Sequence, residues 1–121
     1  MRLRGRAERT SRYSIVLAPM KGWLHLGLEQ AGADVIDVSG GLCGSRPARL
    51  SEQGYFVPLA QSIKAKVAVP VIGVGNITEP EYADAIVREG RVDMVAIGRR
   101  LLSNPDFPKL AAKKLGMAAR R

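Results

Sequence analysis

The sequence predicts an α/β fold built on parallel strands, and three observations carry that reading. Strand-like and helix-like segments alternate from about residue 23 onward. Residues 69–74 (VPVIGV) and 92–97 (VDMVAI) are near-continuous apolar runs, as expected of strands buried on both faces. The connections are short, so successive strands must lie parallel, joined by right-handed helical crossovers. An α/β barrel and an open doubly wound sheet both satisfy that order.

Residues 23–31 (WLHLGLEQA) read as a short helix stopped by Gly32, and 33–39 (ADVIDVS) as a β-branched strand ending in Gly40-Gly41. A polar loop follows, with four glycines and a proline. Apolar residues at 55, 56, 59, 60, 63 and 67 then recur at helical spacing. After the 69–74 strand, Thr78-Glu79-Pro80-Glu81 has the form of a capping box with proline in the first turn, and Gly90 supplies the stop. The 92–97 strand closes at Gly98. Asn104-Pro105 then caps a last helix that runs to Leu115, with Gly116 as its stop. Residues 14–18 (SIVLA) have strand character, but the arginine-rich start before them has no periodicity. The chain therefore divides into a basic, poorly matched segment 1–22, an α/β unit 23–116 and a basic tail 117–121.

The net charge of +8 does not belong to the α/β unit. Residues 1–12 carry +4 and residues 109–121 carry +5, whereas 13–108 carry −1. A nucleic-acid surface wants a basic stripe on a structured face with aromatics where bases stack. None of the six aromatics is interleaved with the basic ends, which argues against nucleic acid as a partner. No apolar run approaches the roughly 20 residues of a membrane-spanning helix, and the N-terminus lacks the apolar core of a secretory signal. Cys43 is the single cysteine, so an internal disulfide and an all-cysteine metal site are excluded. Cytoplasm is the expected compartment, and no metal ligands are assigned.

In parallel α/β structures ligands sit at the carboxyl ends of the strands. Three successive strand ends carry glycine here: Gly40-Gly41, Gly73 with Gly75-Asn76, and Gly98. Glycine lets a ligand approach main-chain N–H groups closely, and helix N-termini beyond the strands favour anions. Arg99 adds a planar guanidinium suited to bidentate contact with phosphate oxygens. Gly75, Asn76, Gly98 and Arg99 are thus the candidate phosphate-binding residues. Glycines also end strands simply to make turns, so the pattern by itself leaves the phosphate compound open.

The segments AGADVIDVSGG (31–41), VPVIGVGNI (69–77) and EGRVDMVAIGRRLL (89–102) followed by NPDFP (104–108) resemble, in order and spacing, the sixth, seventh and eighth strand regions of the NADH:flavin oxidoreductase (old yellow enzyme) family. The G-R-x-L-L stretch followed by Asn-Pro is the most specific of them. The resemblance implies a partial (β/α)8 TIM barrel comprising the last three βα units. It implies FMN as cofactor, its phosphate held by the backbone at Gly75 and Gly98 and by the Arg99 side chain. It implies hydride transfer from NAD(P)H through FMN to an activated alkene or similar small-molecule acceptor. A full barrel of this type needs about 250 residues. The family's substrate-binding and proton-donating residues belong to the earlier half, so the resemblance assigns no catalytic residue to this chain. The expected form is a truncated gene product or a split-barrel piece, with a partner chain or self-association completing the barrel.

The remaining polar residues have plainer readings. Cys43 reads as an ordinary loop thiol, His25 as packing or surface, and Asp34, Asp37 and Asp93 as structural. Tyr55, Tyr82 and Phe107 fall on apolar helix faces and read as core. Two other classes stay open: a phosphate-binding barrel enzyme acting on a sugar phosphate, and a non-catalytic remnant.

Overall fold

A computed structural model of the chain describes residues 13–17, 24–39 and 52–117, with backbone only at 13–17 and 24–25. The elements in order are β1 (Tyr13–Leu17), α1 (Leu24–Gln30), β2 (Val35–Ser39), α2 (Val57–Lys64), β3 (Val71–Gly73), α3 (Pro80–Arg88), β4 (Met94–Val95), α4 (Arg99–Ser103) and α5 (Phe107–Lys114). The strands form one parallel sheet in the order β1-β2-β3-β4. Sequence order and spatial order coincide, so among the described residues there is no reversal of strand order of the kind that defines a doubly wound sheet.

The alternation of side chains along each strand decides where the core lies. Ile36 and Val38 of β2 and Val71 of β3 are fully buried, packed with Val57, Ala60 and Ile63 of α2 and Ile86 of α3. The opposite face is set by the same register. Asp37 pairs with Ile72, and Ile72 with Met94, which puts these three in one row across the sheet. No described helix covers this row. Asp37 and Ile72 are half-buried and Met94 is 44% exposed. A parallel sheet is ordinarily covered on both faces, and among the described residues helices cover only one of them.

The helix stops fall where the sequence places them. α1, α3 and α5 are followed by Gly32, Gly90 and Gly116, and at Gly90 a φ of 73° turns the chain so that the next N–H, of Arg91, reaches the Ile86 carbonyl at 3.0 Å. Other expectations are corrected. The strand character of 14–18 is realised as β1, Tyr13–Leu17, which adds a fourth strand to the three expected of the α/β unit. The strand expected at 92–97 is shortened to Met94–Val95, and the one at 69–74 to Val71–Gly73. The last helix is preceded by a separate turn of helix, α4, because Asn104-Pro105 interrupts the chain and the helix resumes only at Phe107. The Thr78–Glu81 capping box does not form: Glu79 is the N-cap of α3 and makes no side-chain cap hydrogen bond. The Gly40-Gly41 turn, the Cys43 loop, most of the arginine-rich start and the last four residues lie outside the described residues, as does the side chain of His25.

Carboxylates tie the amino ends of the strands together. Glu29 accepts from the Ala68 and Val69 N–H groups at 2.7 and 3.2 Å. Asp93 accepts from the Val71 N–H at 2.9 Å and pairs with Lys64 Nζ at 2.7 Å, joining α2, β3 and the start of β4. Partial burial pushes the Asp93 carboxyl up, but Lys64 and the Val71 amide outweigh it and hold the carboxyl below its ordinary value. On the outside, Lys114 pairs with Glu81 at 2.7 Å to fasten α5 to α3, and that hydrogen bond lowers the Glu81 carboxyl.

Asp93 therefore makes a definite prediction. Its folded-state value lies below the unfolded one, so its contribution is present above about pH 4 and fades as pH falls through the lowered value. Asp93→Asn keeps an acceptor for Val71 but loses the ion pair. Urea midpoints followed from about pH 7 down to about pH 3 should fall less steeply for the variant than for the wild type.

Candidate functional site

At the carboxyl ends of β3 and β4 the backbone opens a cavity of about 200 Å3 lined by Gly75, Asn76, Gly98, Arg99, Tyr55 and Arg100, among others. The four residues singled out from the sequence, Gly75, Asn76, Gly98 and Arg99, thus border one space. A larger cavity of about 410 Å3 lies between α3 and α5, lined by Val87, Ile97, Phe107 and Leu115. Its lining is almost wholly apolar, with Asp84 the exception, so it offers no converging polar groups and reads as the seam between two outer helices.

The loop after β3 is held in an unusual shape. Gly75 has φ 123° and Asn76 has φ 49°, two consecutive residues in left-handed backbone. Asparagine tolerates that region better than most residues, and glycine enters it freely. A Cβ at Gly75 would lie 3.1 Å from the Phe56 nitrogen and 3.1 Å from the Tyr55 ring. Tyr55 and Phe56 meet edge to face at 4.7 Å between ring centroids. The turn that carries them precedes α2, and its Gly54 N–H donates to the Gly75 carbonyl at 2.5 Å.

On the other side of the cavity Gly98 is the N-cap of α4, and a Cβ there would meet no protein atom within 4 Å. Arg99 follows it, and no described carboxylate pairs with it. The Arg100 guanidinium lies 5.7 Å from the centroid of the Phe107 ring, a cation–π contact that fixes its position at the α4–α5 junction. The cavity is therefore bordered by glycine backbone on one side and by Arg99 and Arg100 on the other, with the Arg100 guanidinium turned to Phe107.

Two features escape a reading of the sequence. Tyr55, expected in the core, is half-buried and borders the cavity. The amides that lead into α3, on the side where a helix start favours an anion, are engaged within the protein: Gln53 Oε1 accepts from both the Thr78 and Glu79 N–H groups at 2.9 Å. Helical periodicity assigns Tyr55 to a helix face but cannot see the strand end packed against it. Nothing local links Gln53 to residues 25 and 26 positions away.

Fold and site are those of a parallel α/β protein with its polar cavity at the carboxyl ends of the strands, where this class binds its ligands. Residues 43–117 match the NADH:flavin oxidoreductase / NADH oxidase family. The chain is 50% identical over 88 residues to an NADH oxidase of Thermoanaerobacter brockii, covering 69% of this chain and 14% of that protein. It is 41% identical over 91 residues to an NADPH dehydrogenase of Geobacillus thermodenitrificans, covering 74% and 26%. Among solved structures, wild-type GGGPS from Thermoplasma volcanium aligns with a TM-score of 0.48 at 23% identity, over 75% of this chain and 33% of that one. The chain belongs to the NADH:flavin oxidoreductase / NADH oxidase family, a family of oxidoreductases, and spans only 14% and 26% of the length of the two curated relatives named. No helix among the described residues is long and apolar enough to cross a membrane.

The geometry separates two glycines that the sequence treats alike. Gly75→Ala forces a side chain into left-handed backbone against Tyr55 and Phe56 and should cost about 1–3 kcal/mol of stability in urea unfolding. Gly98→Ala has a φ of −104° and open space, and should stay within about 0.5 kcal/mol of wild type.

Proposed function

We propose that this chain is the FMN-phosphate end of an FMN-dependent oxidoreductase barrel, with β2, β3 and β4 as its sixth, seventh and eighth strands and β1 in the place of the fifth. The observation that carries the proposal is the shared cavity of Gly75, Asn76, Gly98 and Arg99 at adjacent strand ends, inside the stretch matched to the family. Its fit to a phosphate is chemical: main-chain amides in a left-handed turn form a concave donor surface, and Arg99 presents a guanidinium with no described carboxylate partner. The backbone at Gly75, Asn76 and Gly98 would receive the phosphate oxygens, with Arg99 gripping them from the α4 side. Bound flavin supplies the redox chemistry, accepting hydride from NADH or NADPH and passing it to an activated alkene or similar small-molecule acceptor.

This chain's part in that activity is binding and orientation, and none of its described residues is assigned a catalytic role. The row of Asp37, Ile72 and Met94, over which no described helix packs, supports a barrel whose remaining strands come from further polypeptide or from a partner chain. We place the protein in the cytoplasm, in keeping with its single cysteine.

Titration of the purified chain with FMN and with riboflavin, followed by quenching of flavin fluorescence, tests the reading. FMN should bind more tightly than riboflavin, and Arg99→Ala should weaken FMN about tenfold or more while leaving riboflavin unchanged. Equal affinity for the two flavins in the wild type would sink the phosphate site.

A further inference from the structure

The amides of Thr78 and Glu79 lead from the cavity into the nine-residue helix α3, of which Glu79 is the N-cap, and this approach to a helix start is a natural place for an anion to dock. They are instead saturated from within the protein. Gln53 Oε1 accepts from both at 2.9 Å, and Gln53 Nε2 donates to Glu79 Oε2 at 3.0 Å. One side chain thereby takes two amide protons and one carboxylate oxygen. The same turn holds the Gly75 carbonyl through the Gly54 N–H and braces Gly75 with the Tyr55 ring. Gly54 itself, at φ 68°, sits against the Tyr82 ring and hydroxyl, so a side chain there would be strained and would push the Tyr82 ring aside. The loop 75–79 is thus pinned at both ends by residues 53–55, and Asn76 lies between the pins.

We propose that Gln53 is a positioning residue for the phosphate cradle: it withdraws the Thr78 and Glu79 amides from the ligand and locks the left-handed Gly75–Asn76 backbone in the shape that receives the anion. The inference rests on the phosphate reading of the cavity. The anion is then held by the main chain at Gly75, Asn76 and Gly98 and by Arg99, and not by the amides that lead into α3. Gln53 touches neither ligand nor reacting atoms; it acts through residues 75–79.

Two measurements test this. In the wild-type chain, amide NMR shifts during FMN titration should move at Gly75, Asn76 and Gly98. The Thr78 and Glu79 amides and the Gln53 side-chain amide should stay in place. Movement centred on Thr78 and Glu79, with release of the Gln53 side chain, would overturn the proposal, because the ligand would then be taking the helix start. In the second measurement, Gln53→Ala and the bulk-preserving Gln53→Met should each weaken FMN about fivefold and leave riboflavin unchanged. Loss of both flavins in parallel, or an unaltered preference for FMN, would count against Gln53. If the wild type shows no preference for FMN over riboflavin, the phosphate reading itself fails, and that result is separate from either outcome for Gln53.

Discussion

The sheet closes most tightly on its own core at Gly73, the last residue of β3, where strand backbone meets a buried side chain of the next unit. A Cβ there would stand 2.7 Å from Val92 Cγ1 and 3.5 Å from Val57 Cγ2. The missing side chain lets Val92, which is fully buried, lie directly over the strand. The chain entering β4 can then run alongside β3, where Asp93 N–H meets the Val71 carbonyl and Ala96 N–H the Gly73 carbonyl, both at 2.9 Å. Everything at the carboxyl end follows from that alignment. With Ala96 hydrogen-bonded beside Gly73, the chain reaches Gly98 and Arg99 next to the turn at Gly75. A larger residue at 73 would move β4 outward and separate the glycine backbone from the arginines.

The two ends of the sheet divide the work by charge. At the amino ends, Glu29 and Asp93 accept from the backbone just before and at the start of β3 and join helices to strands. At the carboxyl ends, Arg99 and Arg100 stand beside glycine backbone with no described acidic partner. This is the separation expected of α/β barrels, in which one end stabilises the fold and the other binds ligand. The membership established by residues 43–117 agrees with it, because that stretch contains α2, β3, β4 and all of the cavity lining.

Much of this was legible in the sequence, and the limits follow physical lines. Burial on both faces marks an apolar run as a strand, so β2, β3 and β4 are visible as VIDVS, VIG and MV within longer runs. The runs overstate the strands because apolar residues continue past the last ladder hydrogen bond. Gly32, Gly90 and Gly116 mark helix ends because their effect is local. Thr78 and Glu81 misled for the opposite reason: a capping box is a local pattern, and a glutamine from a distant turn displaced it. Tyr55 carried the right periodicity for a core residue and still came to border the cavity, since a strand end, not another helix, packs against it. The arginine pair was half visible, with Arg99 placed by its motif and Arg100 fixed only by the Phe107 ring in the next helix.

The segments that build the cavity run without interruption from Gln53 to Arg100, and their bracing contacts fall within the same span. Gln53 reaches Thr78 and Glu79, Gly54 reaches Gly75 and Tyr82, and Arg100 leans on Phe107 just beyond. A binding surface assembled from one unbroken stretch of polypeptide can be inherited, duplicated or exchanged in a single genetic event. Its internal geometry travels with it, and whatever scaffold receives it needs to supply only the strands on either side.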